Sequence, residues 1–437
     1  MCGIIATPHY DMTRELLSAM RYRGPDGLRM TVAGHSSETL YIGFARLAIV
    51  DTDSPLAQQP HRSAKGNIYA FNGEIYNYRR LDPNAGSEVA LIAAMHEAKL
   101  DLRQHLDGEY AILIHNPSTA EVTLYRDRFG CSPLYYQRKP WFAVSSEARR
   151  LWRPIEVPAF GRVRINLRTR KVRTDILRHY GATCDPLSAP QLISLLSDAV
   201  ASRIDHSDTR YSLALSGGLD STLIAWVAQK ILNKPPLAAL TTFFSAKSED
   251  LRAAQDVADW LHLPFFVMHV GIEPEAEVLR IIEHMDMPKL PTAMKYRGGL
   301  RTWAVAKASP SKVVLCGDGA DELIAGYPHM HAPLHSAALS PPPYAVNRRS
   351  LTSIRSMPAT NLDRTNKLAA AHSKEFRSPF LQSSLSFALL SSARAKNKEL
   401  FREVLRKAGA PISVTERSKH SSDELAVDSL PAFIQKG

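Results

Sequence analysis

Short runs in which apolar and polar residues alternate dominate the first third of the chain. Residues 40–46, 67–72, 110–115, 121–126 and 141–146 each read as a strand, and helical spacing is confined mainly to 87–98. The pattern predicts an α+β half built on antiparallel sheet. Beyond residue 190 it changes character. A strand at 211–215 is followed by a helix at 222–232, with Leu223, Val227 and Ile231 on one face, and then by a strand at 240–244. A helix at 251–261, aligned on Ala254, Ala258 and Leu261, leads to strands at 265–270 and 312–316. Strand and helix alternate in this way in parallel α/β sheets. Residues 181–190 carry Gly, Pro and Ser in the manner of a linker, and 339–361, with Pro341-Pro342-Pro343, reads as an exposed loop, either a lid or a connection.

Composition narrows the class without naming it. At 437 residues, two or three domains are expected. Hydrophobic residues make up 45% and charged residues 22%, and no apolar run approaches the roughly 18 residues that span a bilayer. The start, Met1-Cys2-Gly3-Ile4-Ile5, lacks a basic segment followed by a long apolar one, so the cytoplasm is the expected compartment. The four cysteines, Cys2, Cys131, Cys184 and Cys316, are scattered, which argues against a zinc site or a disulfide framework. A net charge of +11 favours anionic partners such as nucleotides. The bases are dispersed, without long Lys/Arg blocks or aromatic-interleaved patches, so they read as a solvated surface and nucleic acid is discounted.

Two places carry candidate chemistry. If Met1 is removed, the α-amine of Cys2 becomes a general base beside its own thiol, and the small Gly3 leaves access open. In the second half, Ser216-Gly217-Gly218-Leu219-Asp220-Ser221-Thr222 joins a strand to a helix. The glycine pair lets backbone N–H groups turn into one concavity, and the helix N-terminus adds positive partial charge, which suits a phosphate chain. No Lys follows the glycines at Walker spacing. Acidic clusters follow two later strands, Ser248-Glu249-Asp250 and Cys316-Gly317-Asp318-Gly319-Ala320-Asp321-Glu322, at the carboxyl ends where open parallel sheets bind ligands.

Further segments turn these sites into a resemblance. Arg23-Gly24-Pro25-Asp26, Arg46-Leu47-Ala48-Ile49-Val50-Asp51, Asn72-Gly73-Glu74-Ile75-Tyr76-Asn77 and Arg126-Asp127-Arg128-Phe129-Gly130 resemble, in order and spacing, the glutaminase domain of the class II glutamine amidotransferases, an N-terminal nucleophile hydrolase fold. With the phosphate loop, the acidic clusters, Glu375-Phe376-Arg377-Ser378-Pro379-Phe380-Leu381 read as a helix start, Lys398, Arg402 and Arg417-Ser418-Lys419, nearly the whole chain resembles the glutamine-hydrolysing asparagine synthetase family.

That resemblance implies a glutaminase domain at 1–160, a linker at 161–190 and an α/β ATP-pyrophosphatase domain at 191–437. It implies Cys2 as nucleophile, Asn72 and the Gly73 N–H as oxyanion hole, and a glutamine pocket of Arg46, Leu47, Ile49, Val50, Asn72, Gly73 and Glu74. ATP would meet Leu215, Ser216, Gly217, Gly218, Asp220, Ser221, Thr222, Cys316, Gly317 and Asp318, with Mg²⁺ on Asp220 and Asp321 and with Lys419 neutralising charge at an acyl-adenylate. Ammonia would pass through a tunnel, aspartate would be the acceptor, and a homodimer is the assembly entertained. Four positions depart from the family pattern: Tyr22 replaces a His, Gly86 an Asp, Pro291 an Arg with Lys289 or Lys295 as stand-ins, and Asp318 a Glu. The alternatives are another carboxylate acceptor (a peptide, a cell-wall precursor) or a nucleic-acid base, or a catalytically silent binding protein.

Overall fold

The structure, a computed structural model, describes residues 1–34, 38–177, 187–286, 293–324, 348–392 and 398–417. These fall into two compact units. The first takes in residues 1–177 together with 283–286 and 362–375; the second takes in the described residues of 187–282, 293–361 and 376–417.

The first unit stacks two six-stranded sheets. One runs Ile155–Glu156, Tyr135–Gln137, Ala143–Ser145, Gly3–Thr7, Leu40–Arg46 and Gly27–Ala33; the other runs Val172–Ile176, Gly161–Asn166, Glu121–Arg126, Gly108–Asn116, Ile68–Ile75 and His61–Arg62. The pairings of both are antiparallel, as the alternation predicts. Ile4, Ile42 and Phe44 of the first sheet share a core with Ile68, Leu113, Val122 and Leu124 of the second. The opposite face of each sheet takes a helix. Leu17 of Tyr10–Ala19 packs with Ile5 and Ala45, and Val89, Ile92 and Met95 of Glu88–Glu97 pack with Phe71, Ile112 and Ile114. The layers are therefore helix, sheet, sheet, helix, each sheet burying both faces. Residues 161–176, expected to open a linker, supply the last two strands of the second sheet.

The second unit holds a five-stranded sheet in the order Phe265–His269, Ala239–Phe243, Tyr211–Ala214, Val313–Leu315 and Glu375–Arg377, with the first four strands paired in parallel. Three expectations need correction. The segment read as a helix start at 375 is a strand, because the Cys316 N–H donates to the Arg377 carbonyl at 3.0 Å and Pro379 then breaks the ladder; the helix begins at Ser383. Part of the loop at 339–361 is a helix, Arg348–Met357, which buries Ile354 and Met357 one turn apart. The helix read at 222–232 starts earlier, as Leu219–Trp226, and widens to a π turn over Val227–Ile231. Among the described residues, no helix is long and apolar enough to cross a membrane.

Candidate active site

Sheet register places the first candidate site. Gly3 lies opposite Ala45, so Cys2 falls beside the end of Leu40–Arg46, where the Leu47 N–H points at its Sγ from 3.3 Å. Arg23 donates from Nε to the Cys2 carbonyl at 2.9 Å and is itself held by Asn366, at 2.9 Å, and by Glu147. Cys2 shares a pocket with Arg46, Leu47, Val50, Asp51, Phe71, Gly73, Glu74 and Glu88. Between Phe71 and Gly73 sits Asn72, which is fully buried; both ends of its amide lack a hydrogen-bond partner among the described residues. An orphaned buried amide costs roughly 1–3 kcal/mol, so its position is one that a ligand's charge would repay.

Gly73 has no substitute here. Its φ is +124°, and a Cβ would lie 1.8 Å from the Glu109 carbonyl. The pocket's edge is tied down by Asp26, which accepts from the Ala48 N–H at 2.7 Å, and by Arg46, which donates to the carbonyls of Asp51 and Thr52 at 3.0 and 3.3 Å. Asp51 accepts in turn from Tyr78 and Arg79. Asp127, in the Arg-Asp-Arg-Phe-Gly segment, is buried under four backbone N–H groups, those of Tyr110, Phe129, Cys131 and Ser132. That segment shapes the unit and does not line the pocket.

The chain carries Met1, which is buried and whose ammonium lies 3.9 Å from Glu375. Burial lowers that ammonium's pKa, and Glu375 opposes the effect. Burial likewise pushes the Cys2 thiol up to about 11, against the pull of the terminal ammonium and the Leu47 backbone. With Met1 attached Cys2 is a neutral thiol at pH 7. Tyr22, in the place of the family's His, donates to Glu147 and accepts from Arg149 at 2.6 Å. Burial opposes the charge on Glu147, but Arg23, Arg149 and Arg150 outweigh it and hold its pKa at about 2.

The second candidate site lies in the other unit. At the end of Tyr211–Ala214, Gly217 turns with φ +72°, and a Cβ there would meet the Ala254 nitrogen at 2.5 Å. Ser221 Oγ lies 3.1 Å from Ser216 Oγ and accepts from the Ser216 N–H, while Thr222 donates to the Gly218 carbonyl at 2.8 Å. Gly317 packs against Asp220, a Cβ on it coming within 3.1 Å of that side chain, so the two acidic loops meet. Asp220 and Asp321 converge on one ammonium, that of Lys398, at 2.5 and 2.6 Å. Burial pulls the Lys398 pKa down, but the two carboxylates prevail and raise it. Two carboxylates that grip one cation from both sides fit a divalent metal ion. Asp250 pairs with Arg417 at 2.9 Å.

Sequence reasoning matched Lys398 to the family's basic signature but gave it no role. Arg23, Glu147 and Asn366 went unnoticed as supports of Cys2, since no spacing links 23 with 366. Asp286 accepts from the Ala148 and Arg149 N–H groups at 2.7 Å and pairs with Lys367. Lys295 donates to the Ala359 carbonyl. Lys419, Lys289 and Pro291 lie outside the described residues.

A layered antiparallel unit with a cysteine at its second position, joined in one chain to a parallel sheet with a Gly-Gly turn and paired aspartates, is the arrangement of a glutamine amidotransferase coupled to an ATP-using synthetase. The chain belongs to the asparagine synthase family, whose model matches residues 191–352 and 338–428, and a glutamine amidotransferase domain matches residues 1–166. It is 27% identical to asparagine synthetase B (glutamine-hydrolyzing) of Escherichia coli K12, over 93% of this chain and 77% of that one. It is 28% identical to the rat asparagine synthetase (glutamine-hydrolyzing), over 90% and 77%. Among solved structures it is similar to a glutamine phosphoribosylpyrophosphate amidotransferase from B. subtilis, at 14% identity, 74% and 77% coverage and a TM-score of 0.35, a superposition too loose to add to the sequence match.

Proposed function

We propose that this protein is a carbon-nitrogen ligase that hydrolyses glutamine and uses the ammonia, with ATP, to convert a carboxylate to its amide, aspartate to asparagine being the favoured reaction. The observation that carries the first half is the buried, partnerless Asn72 amide on the strand between Phe71 and Gly73, two residues that line the Cys2 pocket. Once Met1 is removed, the Cys2 amine takes the thiol proton and the sulfur attacks the glutamine side-chain carbonyl. Asn72 and the Gly73 N–H receive the oxyanion, whose full charge exists only in the transition state. Arg46 takes the α-carboxylate. With Gly86 in place of an aspartate, the α-ammonium falls to Glu74 and Glu88, the buried acids of the pocket.

In the second unit the Ser216–Thr222 turn accepts the ATP phosphates, with Leu215, Cys316, Gly317 and Asp318 beside them. Asp220 and Asp321 would hold Mg²⁺, which neutralises phosphate charge. The acceptor carboxylate attacks the α-phosphorus and releases pyrophosphate. Ammonia then displaces AMP, and Lys419 is assigned to charge neutralisation at that step. Pro291 removes one expected guanidinium from the acceptor pocket. Arg297 and Arg301, one turn apart on Ala293–Ala308 and both over the Phe244 ring, are the guanidiniums that we assign to the acceptor's carboxylates. We place the enzyme in the cytoplasm, as a homodimer.

The test is to measure glutamate, pyrophosphate and asparagine together from glutamine, ATP and Mg²⁺, with and without aspartate. Equal asparagine and pyrophosphate only with aspartate supports the full reading. Glutamate without asparagine rejects aspartate and sends the search to larger carboxylates. Cys2→Ala should abolish glutamine use yet keep synthesis from ammonium, and Arg301→Ala should raise the aspartate KM at least tenfold with glutaminase unchanged.

A further inference from the structure

Residues 138–173 hold eleven arginines and lysines against two glutamates. Both glutamates are occupied: Glu147 by Arg23, Arg149 and Arg150, and Glu156 by Arg126. Arg149 and Arg150 share Glu147, Arg162 and Arg164 pair with Asp175, and Arg168 pairs with Glu38, whereas Arg138, Lys139, Arg153, Arg170 and Lys171 have no acidic partner among the described residues.

Folding gathers part of that segment onto one face. Tyr136 pairs with Ile155, which brings the 138–141 turn beside 152–154, and the Trp152 N–H donates to Gln137 at 2.7 Å while Gln137 donates to the Trp141 carbonyl. Arg138 reaches across to the Arg170 carbonyl, so the turn at 168–171 joins the same neighbourhood. Lys139, Trp141, Trp152 and Arg153 line one open groove. Trp152 is 75% exposed, a large loss of apolar burial for an indole on a well-ordered turn.

We infer that this face binds single-stranded nucleic acid, with bases stacking on Trp152 and phosphates held by Arg138, Lys139, Arg153, Arg170 and Lys171. Stacking on an exposed ring with flanking cations is the common device for binding unpaired strands, and it is indifferent to sequence. Arginines, whose planar forks suit phosphate oxygens, outnumber lysines in this set. A second copy of the same face would meet it with like charge, so self-association through this face is disfavoured. Lys139 and Arg153, fourteen residues apart in sequence, line the same groove.

The experiment is fluorescence anisotropy of the full chain with a labelled single-stranded oligonucleotide of about 20 nucleotides. Poly-glutamate peptide and phosphatidylserine vesicles are run in parallel. The expected result is saturable binding that weakens on the order of fiftyfold from 50 to 200 mM salt for about four phosphate contacts. Trp152→Ala should weaken it about tenfold and Trp152→Phe should restore most of it, with unchanged thermal unfolding of both variants. Arg138→Glu with Arg153→Glu should abolish it. Equal binding of poly-glutamate, binding to vesicles but not to the oligonucleotide, or indifference to Trp152→Ala would each overturn the proposal.

Discussion

The reactivity proposed for Cys2 depends on what is next to it. In the unprocessed chain burial holds its thiol near pKa 11, and the amine that would accept its proton belongs to Met1 and is turned toward Glu375. Thiolate forms only as pH rises toward that value. Iodoacetamide should therefore label Cys2 of a Met1-retaining form about tenfold faster per pH unit between 7 and 10, whereas the processed form reacts readily at pH 7; mass spectrometry of the N-terminal peptide follows both. Lys398 is a second case. Its ammonium neutralises Asp220 and Asp321 in the absence of a metal, and removing it leaves two carboxylates side by side. Lys398→Ala should cost about 3 kcal/mol without ligand, read as a lowered Tm, and millimolar Mg²⁺ alone should restore more of it than it adds to the wild type.

His115 argues at the same scale from the opposite sign. It is fully buried, neither ring nitrogen has a partner among the described residues, and burial, reinforced by Arg62, lowers its pKa to about 4. The unfolded chain binds this proton near pH 6.5 and the folded chain only near 4. Stability from this group is complete above pH 6.5 and falls as pH drops toward 4, by up to about 3 kcal/mol. His115→Leu should flatten that part of a urea-denaturation series measured between pH 7 and 4.5.

Among elements, the helix Asp363–Ala370 departs most from what its composition suggests. Asp363, Thr365, Asn366 and Lys367 are polar, which on its own reads as a solvated face, yet all four are buried. Three of them have partners far away in sequence. Asp363 takes Arg126 at 2.5 Å and the Tyr135 hydroxyl at 2.6 Å, Lys367 takes Asp286 and Tyr135, and Asn366 takes Arg23 and the Cys131 carbonyl. Removing one member of such a set strands the others. Asp363→Ala should destabilise the first unit by about 3 kcal/mol, the low end of the range for a broken buried pair because Glu156 still faces Arg126. Chemical denaturation followed by near-ultraviolet dichroism measures it. The strand Glu375–Arg377 shows the same dependence, for its sequence resembles a helix start until Cys316 offers it a ladder bond.

At the scale of the whole molecule, the first unit is assembled from three stretches of chain, 1–177, 283–286 and 362–375. An isolated fragment of residues 1–177 keeps both sheets but leaves Arg23 and Arg126, each fully buried, without Asn366 and Asp363. The fragment should unfold about 6–12 °C below the same unit in the intact chain, by scanning calorimetry, if the lost pairs contribute about 3 kcal/mol. A fragment as stable as the intact unit would show that these pairs contribute little.

The sequence by itself determined what local chemistry dictates. Period-two alternation marked two inner strands of the first sheet and three of the second, and the Gly217-Gly218 turn suited a phosphate chain, because these signals depend on residues within one turn or strand; the Cys2 chemistry was an implication of the family resemblance. Tertiary structure alone decided the rest. Only the fold places Lys398 between Asp220 and Asp321, buries a polar helix on Arg23, Arg126 and Tyr135, extends the second sheet through residues 161–176, and brings Lys139 and Arg153 into one groove with Trp152. Each joins groups tens to hundreds of residues apart. Their stabilisation comes from charges and hydrogen bonds satisfied in a desolvated interior, which no local pattern of hydrophobic and polar residues can encode.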